Sequence, residues 1–232
     1  MKVNSKDISL FKAKLVDLDI GPAKRDLKYE FLNGRSLNFV RTDNENYAFK
    51  PIKLKIEIYA DSRDEYETCK SNLAAELIEC TLQFDSIPNK TYTGYLNGDI
   101  DVDEKGPWIG VATCKLYAVC EGKECTEEFT DQLTFNNLGN TKGPAAVEII
   151  TSVALVSLTI SGLTKEPIIV NNVARDIPLI IDGEKCLVTQ DGVNKFADAI
   201  IKTFPEVIPG SNKIELSNTV TKATVTYKPR FV

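Results

Sequence analysis

The most informative absence in this sequence is histidine, which does not occur once in 232 residues. Without it the chain cannot form a Ser-His or Cys-His nucleophile pair or the His-Glu-x-x-His zinc motif, and it lacks the usual base at neutral pH. Paired carboxylates or a lysine could still serve an enzyme, but no pattern brings such groups together across a pocket. We therefore expect a protein that is not an enzyme and has no catalytic residue.

Cysteine is present but never forms a Cys-x-x-Cys pair. The six cysteines are Cys69, Cys80, Cys114, Cys120, Cys125 and Cys186. A zinc site needs closely spaced cysteine and histidine ligands, so we predict no metal site, and no cofactor or cofactor-binding residue. The N-terminus leads into no apolar run of the signal-peptide type. We therefore interpret the cysteines as reduced, buried thiols.

Long apolar runs and basic clusters are scarce as well. The best candidate for a membrane span, residues 144–163, contains Glu148 and several Ser and Thr residues. A central acidic residue costs about 2.5–3.5 kcal/mol on insertion, so we predict two buried strands there and no membrane partner. The net charge is −5 and no Lys/Arg run occurs. Electrostatic binding of nucleic acid is therefore not expected.

The clearest structural signal is a strand followed directly by a helix between residues 51 and 82. Residues 52–60 alternate between apolar and polar side chains, which is typical of a half-buried strand. Ser62 and Glu65 have the spacing of a capping box at a helix start. The residues expected on one helical stripe are Tyr66, Cys69, Leu73, Leu77 and Cys80. Packing this helix on a sheet that contains the strand would bury both apolar faces.

Three further patterns predict strands in the first half. Asn33-Gly34 between short apolar runs predicts a type I′ hairpin turn. Residues 91–103 alternate as one long strand, with a bulge at a glycine as an alternative. After Trp108, a further strand places small or apolar side chains on one face; they are Ala112, Cys114, Leu116, Ala118 and Cys120. Small side chains let a helix approach closely, so this face is expected under the helical stripe.

An acidic stretch and the tryptophan could each suggest a binding site, but the surrounding sequence does not favour one. Asp99, Asp101 and Asp103 suggest a calcium loop, but the sixth and twelfth positions of an EF-hand are then Glu104 and Gly110 instead of glycine and glutamate. We interpret the aspartates as a solvated strand face. Trp108 is the only tryptophan, and we expect it in the core or at an interface rather than stacked on a sugar.

The second half has a different pattern. Polar residues 121–130 predict an extension or linker, and turn-forming residues within 131–143 predict a domain boundary. The short strands expected beyond it are 146–150, 155–161, 167–170, 177–181, 186–189, 214–216 and 223–227. They indicate an antiparallel sandwich. For residues 193–203, one helical turn and an irregular crossover both remain open.

The order of these motifs resembles the distal tail protein (Dit) family of long-tailed phages (siphophages) that infect Gram-positive bacteria. The matching stretches are 54–60, 82–85, 90–101, 110–114, 137–141, 179–188, 204–212 and 225–231. The Pro-Gly-x-Asn turn of residues 209–212 and the Tyr-Lys-Pro-Arg-Phe end are the more specific of them. The family often has an aromatic residue and an Asp-Pro-Tyr step where this chain has residues 117–122.

The resemblance implies a mainly β (α+β) protein with two domains. Residues 1–130 would form an N-terminal β-sheet or barrel-like ring domain with one packed helix. Residues 131–232 would form a C-terminal galectin-like antiparallel β-sandwich. The implied function is structural: a homo-hexameric ring, the distal tail hub, would join the tail tube protein to the baseplate hub or tail-fibre protein. Outward C-terminal domains would hold receptor-binding adhesion proteins.

The implied location is the tail tip of the virion, after assembly in the host cytoplasm. DNA would pass through the ring without being bound, and an acidic wall suits that role. We hypothesise that Asp99, Asp101 and Asp103, or the helix carboxylates, line this channel. The alternative function is a carbohydrate-binding, lectin-like module for attachment to the host surface. Against it, the second half lacks tryptophan, and its only arginines are Arg175 and Arg230.

Overall fold

The computed structural model describes residues 1–23, 28–30, 39–41 and 49–232. The chain divides into two compact units, Met1–Glu121 with Val232, and Gly122–Phe231. The boundary predicted from the sequence lies at residue 131 instead. The difference arises because residues 125–129, predicted as an extension or linker, form an edge strand in a sheet of the second unit.

The first unit is an antiparallel sheet with one α-helix. Its elements are β1 (Lys2–Val3), β2 (Lys6–Asp7), a 3-10 helix (Ile8–Phe11), β3 (Ala13–Ile20), β4 (Lys28–Glu30), β5 (Phe39–Arg41), β6 (Lys50–Tyr59), α1 (Arg63–Leu77), β7 (Glu79–Gln83), β8 (Thr91–Leu96), β9 (Asp101–Gly106) and β10 (Ile109–Glu121). The strand order is β2-β1-β7-β8-β10-β6-β3, and β9 also pairs with β10. Strands β4 and β5 pair with each other; the predicted Asn33-Gly34 turn lies outside the described residues.

The strand–helix pair forms as the sequence predicts. Strand β6 buries its even-numbered apolar residues, from Ile52 to Ile58. Helix α1 begins after Ser62, whose Oγ accepts a hydrogen bond from the Glu65 N–H at 3.2 Å. The Glu65 carboxylate accepts from the Asp61 N–H at 2.8 Å, one residue before the position that a capping box uses.

The end of the helix differs from the prediction. Helix α1 ends at Leu77, so the expectation that Cys80 continues its apolar stripe is wrong. Cys80 lies in β7 and pairs with Gly94 of β8. Cys80 lies three positions after Leu77, a spacing that fits both an apolar helical stripe and the inward face of a strand. It is in a strand because β7 pairs with β8.

The predicted long strand over residues 91–103 is two strands. Gly98 has a φ of 84°, a left-handed conformation that glycine adopts readily, and it lies between β8 and β9. The two strands then pair with different parts of β10. On β10 itself the predicted face is confirmed, because Ala112, Cys114, Leu116, Ala118 and Cys120 are all buried.

The second unit consists of two antiparallel sheets. Its elements are β11 (Cys125–Phe129), β12 (Gln132–Asn137), β13 (Gly143–Ile150), β14 (Leu155–Ser161), β15 (Ile168–Val173), β16 (Leu179–Asp182), β17 (Leu187–Gln190), β18 (Val193–Asn194), a 3-10 helix (Phe196–Asp198), β19 (Ala199–Ile200), β20 (Glu206–Val207), β21 (Gly210–Leu216), β22 (Lys222–Tyr227) and β23 (Arg230–Phe231). The larger sheet has the order β11-β22-β13-β16-β17-β18, with β20 on β13. The smaller sheet has the order β12-β21-β14-β15-β19.

The two sheets share one apolar core, so the predicted sandwich is confirmed. Val147 and Val225 of the larger sheet and Leu158 and Val170 of the smaller sheet belong to the same buried cluster. The seven predicted strands correspond to β13–β17, β21 and β22, whereas β11 and β12 were not predicted. For residues 193–203, the structure has a single 3-10 turn between two short strands.

Candidate assembly surfaces

In the first unit, Arg63 ties the start of α1 to the turn after β9. Its guanidinium donates two hydrogen bonds to the Glu104 carboxylate, both at 3.0 Å, and a longer one of 3.4 Å to the Pro107 carbonyl. The hydrogen-bonded pair raises the pKa of Arg63 and lowers the pKa of Glu104. This contact holds the turn that carries Trp108.

Tyr66 packs beneath that contact. Its ring lies 5.4 Å from the Arg63 guanidinium carbon and 5.3 Å from the Lys70 ammonium, both measured to the ring centroid. The side chain is fully buried, which raises the pKa of its hydroxyl, and that hydroxyl has no hydrogen-bond partner among the described residues. A Cβ on Gly110 would lie 2.1 Å from the Tyr66 oxygen. The packing of α1 on β10 therefore requires glycine at this position.

An apolar cavity of about 370 Å³ lies beside the same helix. Leu73, Ala74 and Leu77 of α1 line one side, and Val102 and Ala112 are among the residues opposite. Glu67 and Lys70 lie at the cavity and form an ion pair at 2.6 Å. The cavity shows that α1 covers the sheet incompletely near β9.

The outward face of β6 and β10 carries exposed apolar side chains at both ends of the strand pair. The first end patch is Tyr59, Trp108 and Ile109, and Tyr59 pairs directly with Ile109. Trp108 is 46% exposed, so it is not a core residue, and the interface alternative remains.

The second end patch is Ile78, Tyr95 and Tyr117. Tyr95 pairs directly with Tyr117 across β8 and β10, and the Leu96 N–H donates to the Ile78 carbonyl. All three side chains are exposed. Exposed tyrosine and tryptophan are the residue types that interfaces favour.

The three aspartates lie at the surface, close to β9. Asp101 and Asp103 are in β9, whereas Asp99 precedes it, so the three do not share one strand. All three are exposed, and Lys105 contacts Asp103. Among the described residues no group of acidic or cysteine side chains could hold a metal ion. None of the helices described there is long and apolar enough to cross a membrane.

The six cysteines fall into three groups by exposure: three are buried, Cys69 and Cys125 are half-buried, and Cys186 is exposed. Cys80, Cys114 and Cys120 are buried, as predicted, and burial raises the pKa of Cys80 to about 12 and that of Cys114 to about 11. Cys186 is exposed, so the expectation of a buried thiol is wrong there. It lies in the turn after β16, where residues 182–185 are held by the Asp182 carboxylate.

In the second unit, two buried asparagines form a polar clamp around Ile208. The Asn212 side chain donates to the carbonyls of Ile208 at 2.8 Å and Gly210 at 2.9 Å, and accepts from the Ile208 N–H at 2.9 Å. Asn137 donates to the same Ile208 carbonyl at 3.1 Å and accepts from the Gly139 N–H at 3.0 Å. The clamp therefore joins two loops that are distant in sequence.

Close backbone contacts extend this clamp. A Cβ on Gly139 would lie 2.7 Å from the Arg230 carbonyl oxygen, and the Asn140 N–H donates to that oxygen at 3.0 Å. A Cβ on Gly183 would lie 2.3 Å from the Pro205 carbonyl oxygen. These residues belong to the four matching stretches of the second half. The contacts among these four stretches explain why glycine and asparagine recur in them. The sequence alone does not indicate these contacts.

The outward face of the smaller sheet is polar along β12 and β21. Its exposed side chains include Asn136 paired with Ser211, and Thr134 paired with Lys213. An aromatic ring is the usual platform for a sugar, and the paired positions on this face supply none.

Comparisons with known proteins show a similarity within the first unit. Residues 18–118 match the family model of the phage tail protein RIFT-related domain. These residues are similar to a phage tail domain. They lie entirely within the first unit and contain β6, α1 and most of β10. A search of curated protein sequences gives no match.

Solved structures extend the likeness to both units. The crystal structure of the SPP1 Dit protein, described as a paradigm of the hub adsorption apparatus in phages that infect Gram-positive bacteria, has a TM-score of 0.80 at 11% identity. The match covers 99% of this chain and 98% of that chain. The phage P2 baseplate in its activated conformation matches with TM-scores of 0.56 with calcium and 0.54 with strontium. Identities are 11% and 10%, and each match covers 97% of this chain and 94% of that one. The chain therefore has the fold of the SPP1 Dit protein, as the resemblance to the distal tail protein family implies.

Proposed function

We propose that this protein is the distal tail hub of a siphophage tail, and that six copies form a ring through their RIFT-related domains. The observation that carries the proposal is the fold match to SPP1 Dit over nearly the whole of both chains. No large insertion or missing module separates the two, so the chain has both parts that such a hub needs. We infer a structural role without catalysis.

The ring would join the tail tube protein on one side to the baseplate hub or tail-associated protein on the other. The second unit would be peripheral and would hold receptor-binding proteins. Its clamp around Ile208 suits that role, because it fixes two surface loops that carry the exposed side chains Leu138 and Ile208. The protein would belong to the tail tip of the virion, assembled in the host cytoplasm.

DNA would cross the ring without being bound. We retain the hypothesis that Asp99, Asp101 and Asp103 line the channel, since all three side chains are exposed and like charge repels a polyanion. Negative-stain images of the purified protein test the ring directly. We expect annular particles with six-fold symmetry and a central hole. Particles without a ring at any concentration, even after the tube protein is added, would contradict the proposal.

No observation favours the carbohydrate-binding alternative. The smaller sheet offers serine, threonine and asparagine side chains but no paired aromatic residue on its outward face. A glycan array probed with the full chain checks this, and we expect no saturable binding. Binding that Asn136→Ala or Ser211→Ala abolishes would instead give the second unit a lectin function.

A further inference from the structure

The turn between β8 and β9 contains an asparagine followed by a glycine, Asn97 and Gly98. Such a step is chemically reactive, because the backbone nitrogen of the second residue can attack the side-chain amide carbon of the first, and glycine has no Cβ to hinder the attack. The sequence has one other Asn-Gly step, at residues 33 and 34, which lie outside the described residues. Asn97 is therefore the described asparagine whose sequence most favours this reaction.

Neither of the two reacting groups is held by a hydrogen bond. The backbone N–H of Asn97 donates to the Lys115 carbonyl at 2.8 Å, which anchors the turn to β10. Within the part of the chain that the structure describes, however, the Gly98 N–H donates no hydrogen bond, and the side-chain amide of Asn97 neither donates nor accepts one. Both residues are exposed. The Asn97 side chain is thus free to rotate towards the nitrogen that follows it.

The space around Gly98 is open as well. Its φ of 84° is left-handed, and an added Cβ would meet no atom of the described chain within 4 Å. Attack by the Gly98 nitrogen closes a five-membered ring, and ring closure requires the backbone of the turn to change its dihedral angles. Because no other element packs against this side of the turn, there is room for that change.

The two buried asparagines of the second unit differ from Asn97 in every one of these respects. The Asn212 side chain is 4% exposed and makes three hydrogen bonds with the backbone of Ile208 and Gly210. The Asn137 side chain is 2% exposed and also hydrogen bonds through both its nitrogen and its oxygen. Rotation of either side chain would break these bonds and leave buried groups unpaired, which is costly. These two asparagines are therefore protected references for the open turn.

We propose that Asn97 is a site of spontaneous deamidation, which converts it into aspartate or isoaspartate. The Gly98 N–H loses its proton to hydroxide, its nitrogen forms a bond to Asn97 Cγ, and the Cγ–Nδ2 bond breaks to release ammonia. Water then opens the five-membered ring. Opening at Cγ restores the normal backbone with an aspartate, and opening at the backbone carbonyl leaves an isoaspartate linkage. One water is consumed and one ammonia is released, and no oxidant or reductant takes part.

Deamidation changes the charge of a cavity beside the second end patch. Asn97 lines a cavity of about 230 Å³ together with Lys53, Lys115, Asp19 and Tyr117, among others. Lys53 lies directly opposite Lys115, and like charges at such positions are destabilising. With two cations and one anion, the side chains that line the cavity carry a net charge of +1. A carboxylate at residue 97 brings this net charge to zero.

Peptide mass spectrometry of the incubated full chain tests the site. Trypsin cleaves after Lys90 and Lys105, and Asn97 is the only amide side chain in the peptide between them. We expect this peptide to gain the mass of an amide-to-acid change, faster at pH 8 than at pH 7 because more of the amide nitrogen is deprotonated. The synthetic peptide of residues 91–105 gives the rate without the fold. The folded chain should react within about tenfold of that rate, because a segment that opens at almost no cost in free energy behaves nearly as a free peptide. A slower reaction in the folded chain would show that the turn is held and would overturn the inference.

One variant and one protected peptide serve as controls. Asn97→Gln places the amide one methylene further from the backbone, so ring closure would need six members, and the peptide should stay unmodified. In the folded wild type, the tryptic peptide of residues 203–213, which contains Asn212 as its only amide side chain, should stay unmodified too. Equal modification of both wild-type peptides would indicate general unfolding instead of a reactive turn, and the inference would be overturned.

The charge change has a readout of its own. Asn97→Asp reproduces the aspartate product, and at low salt, where exposed charges are least screened, it should raise the midpoint of denaturant unfolding. The rise should disappear when Lys53→Gln and Lys115→Gln are added, because the new carboxylate then has no cation to compensate. A midpoint that Asn97→Asp leaves unchanged or lowers would show that the product does not compensate the two lysines, and this part of the inference would be overturned.

Discussion

In the first unit, one helix packs on a single sheet through apolar contacts and charge pairs, whereas in the second unit two sheets pack on each other and buried amide side chains fix the loops. The first leaves a cavity beside α1, an unpaired hydroxyl on Tyr66 and exposed patches at both ends of β6 and β10. The second uses the hydrogen-bonding groups of Asn137 and Asn212 internally. Under the proposed function, the first unit with its exposed patches would form the ring, and the second unit would be peripheral.

The largest effect is expected from Gly94→Ala in the first unit. The new Cβ would lie 2.0 Å from the Tyr117 carbonyl oxygen and 2.6 Å from the Ala118 Cα, and backbone atoms within a sheet cannot move aside. We expect a loss of about 3 kcal/mol in the free energy of unfolding, measured by denaturant titration. Gly106→Ala is the control, because no atom lies within 4 Å of its added Cβ. An equal loss in the control would show that the close approach of β8 and β10 is not the cause.

The matching change in the second unit is Asn212→Ala. It removes three hydrogen bonds and leaves the Ile208 N–H without the side-chain acceptor it now has. We expect the free energy of unfolding to fall by about 2 kcal/mol. Calorimetry should show two unfolding transitions, and only one of them should move to lower temperature. Ser211→Ala, at the exposed neighbouring position, should change little. If calorimetry shows only one unfolding transition, and Gly94→Ala and Asn212→Ala lower its midpoint temperature equally, then the two units do not differ in the way described.

A smaller change of opposite sign is expected from Tyr66→Phe. The buried hydroxyl has no hydrogen-bond partner in the part of the chain that the structure describes, so removing it should stabilise the protein by about 1 kcal/mol. The ring and its contacts with Arg63 and Lys70 remain. Denaturant titration measures the difference, and a loss of stability would mean that the hydroxyl is satisfied in solution and that the helix packs more completely than described.

The cysteines allow the two units to be compared without changing stability. The pKa of Cys80 near 12 and that of Cys114 near 11 keep both thiols protonated at pH 8, and both are buried. Iodoacetamide at pH 8 should therefore modify Cys186 of the second unit first and leave these two unmodified until denaturant is added. Peptide mass spectrometry reads the order, and Cys186→Ser should remove the rapid phase. Early modification of Cys80 would mean that the first unit opens locally.

The sequence predicts those elements whose periodicity is unambiguous. The alternation along β6, the Ser62 cap and the turn-separated strands of the second unit all have local signals. The end of α1 does not, because Cys80 fits the spacing of a helix and of a strand. Strands β11 and β12 escape prediction because their polar, turn-rich sequences become strands only when β22 and β21 pair with them.

The candidate surfaces are harder to predict than the fold. Tyr95 and Tyr117 look like ordinary outward residues of separate strands until the register places them opposite each other. The clamp joins Asn137 to Ile208, 71 residues away, and no local pattern indicates such a pair.

The central claim is that the chain assembles into a ring of six. The most direct measurement is the molar mass of the purified full chain by multi-angle light scattering after gel filtration, over a series of loading concentrations. We expect a species with six times the 25.7 kDa mass of the chain. The fraction of protein in this species should increase with concentration. A mass of one or two chains over the whole series, with the fold intact by circular dichroism, would contradict a ring built by this protein alone.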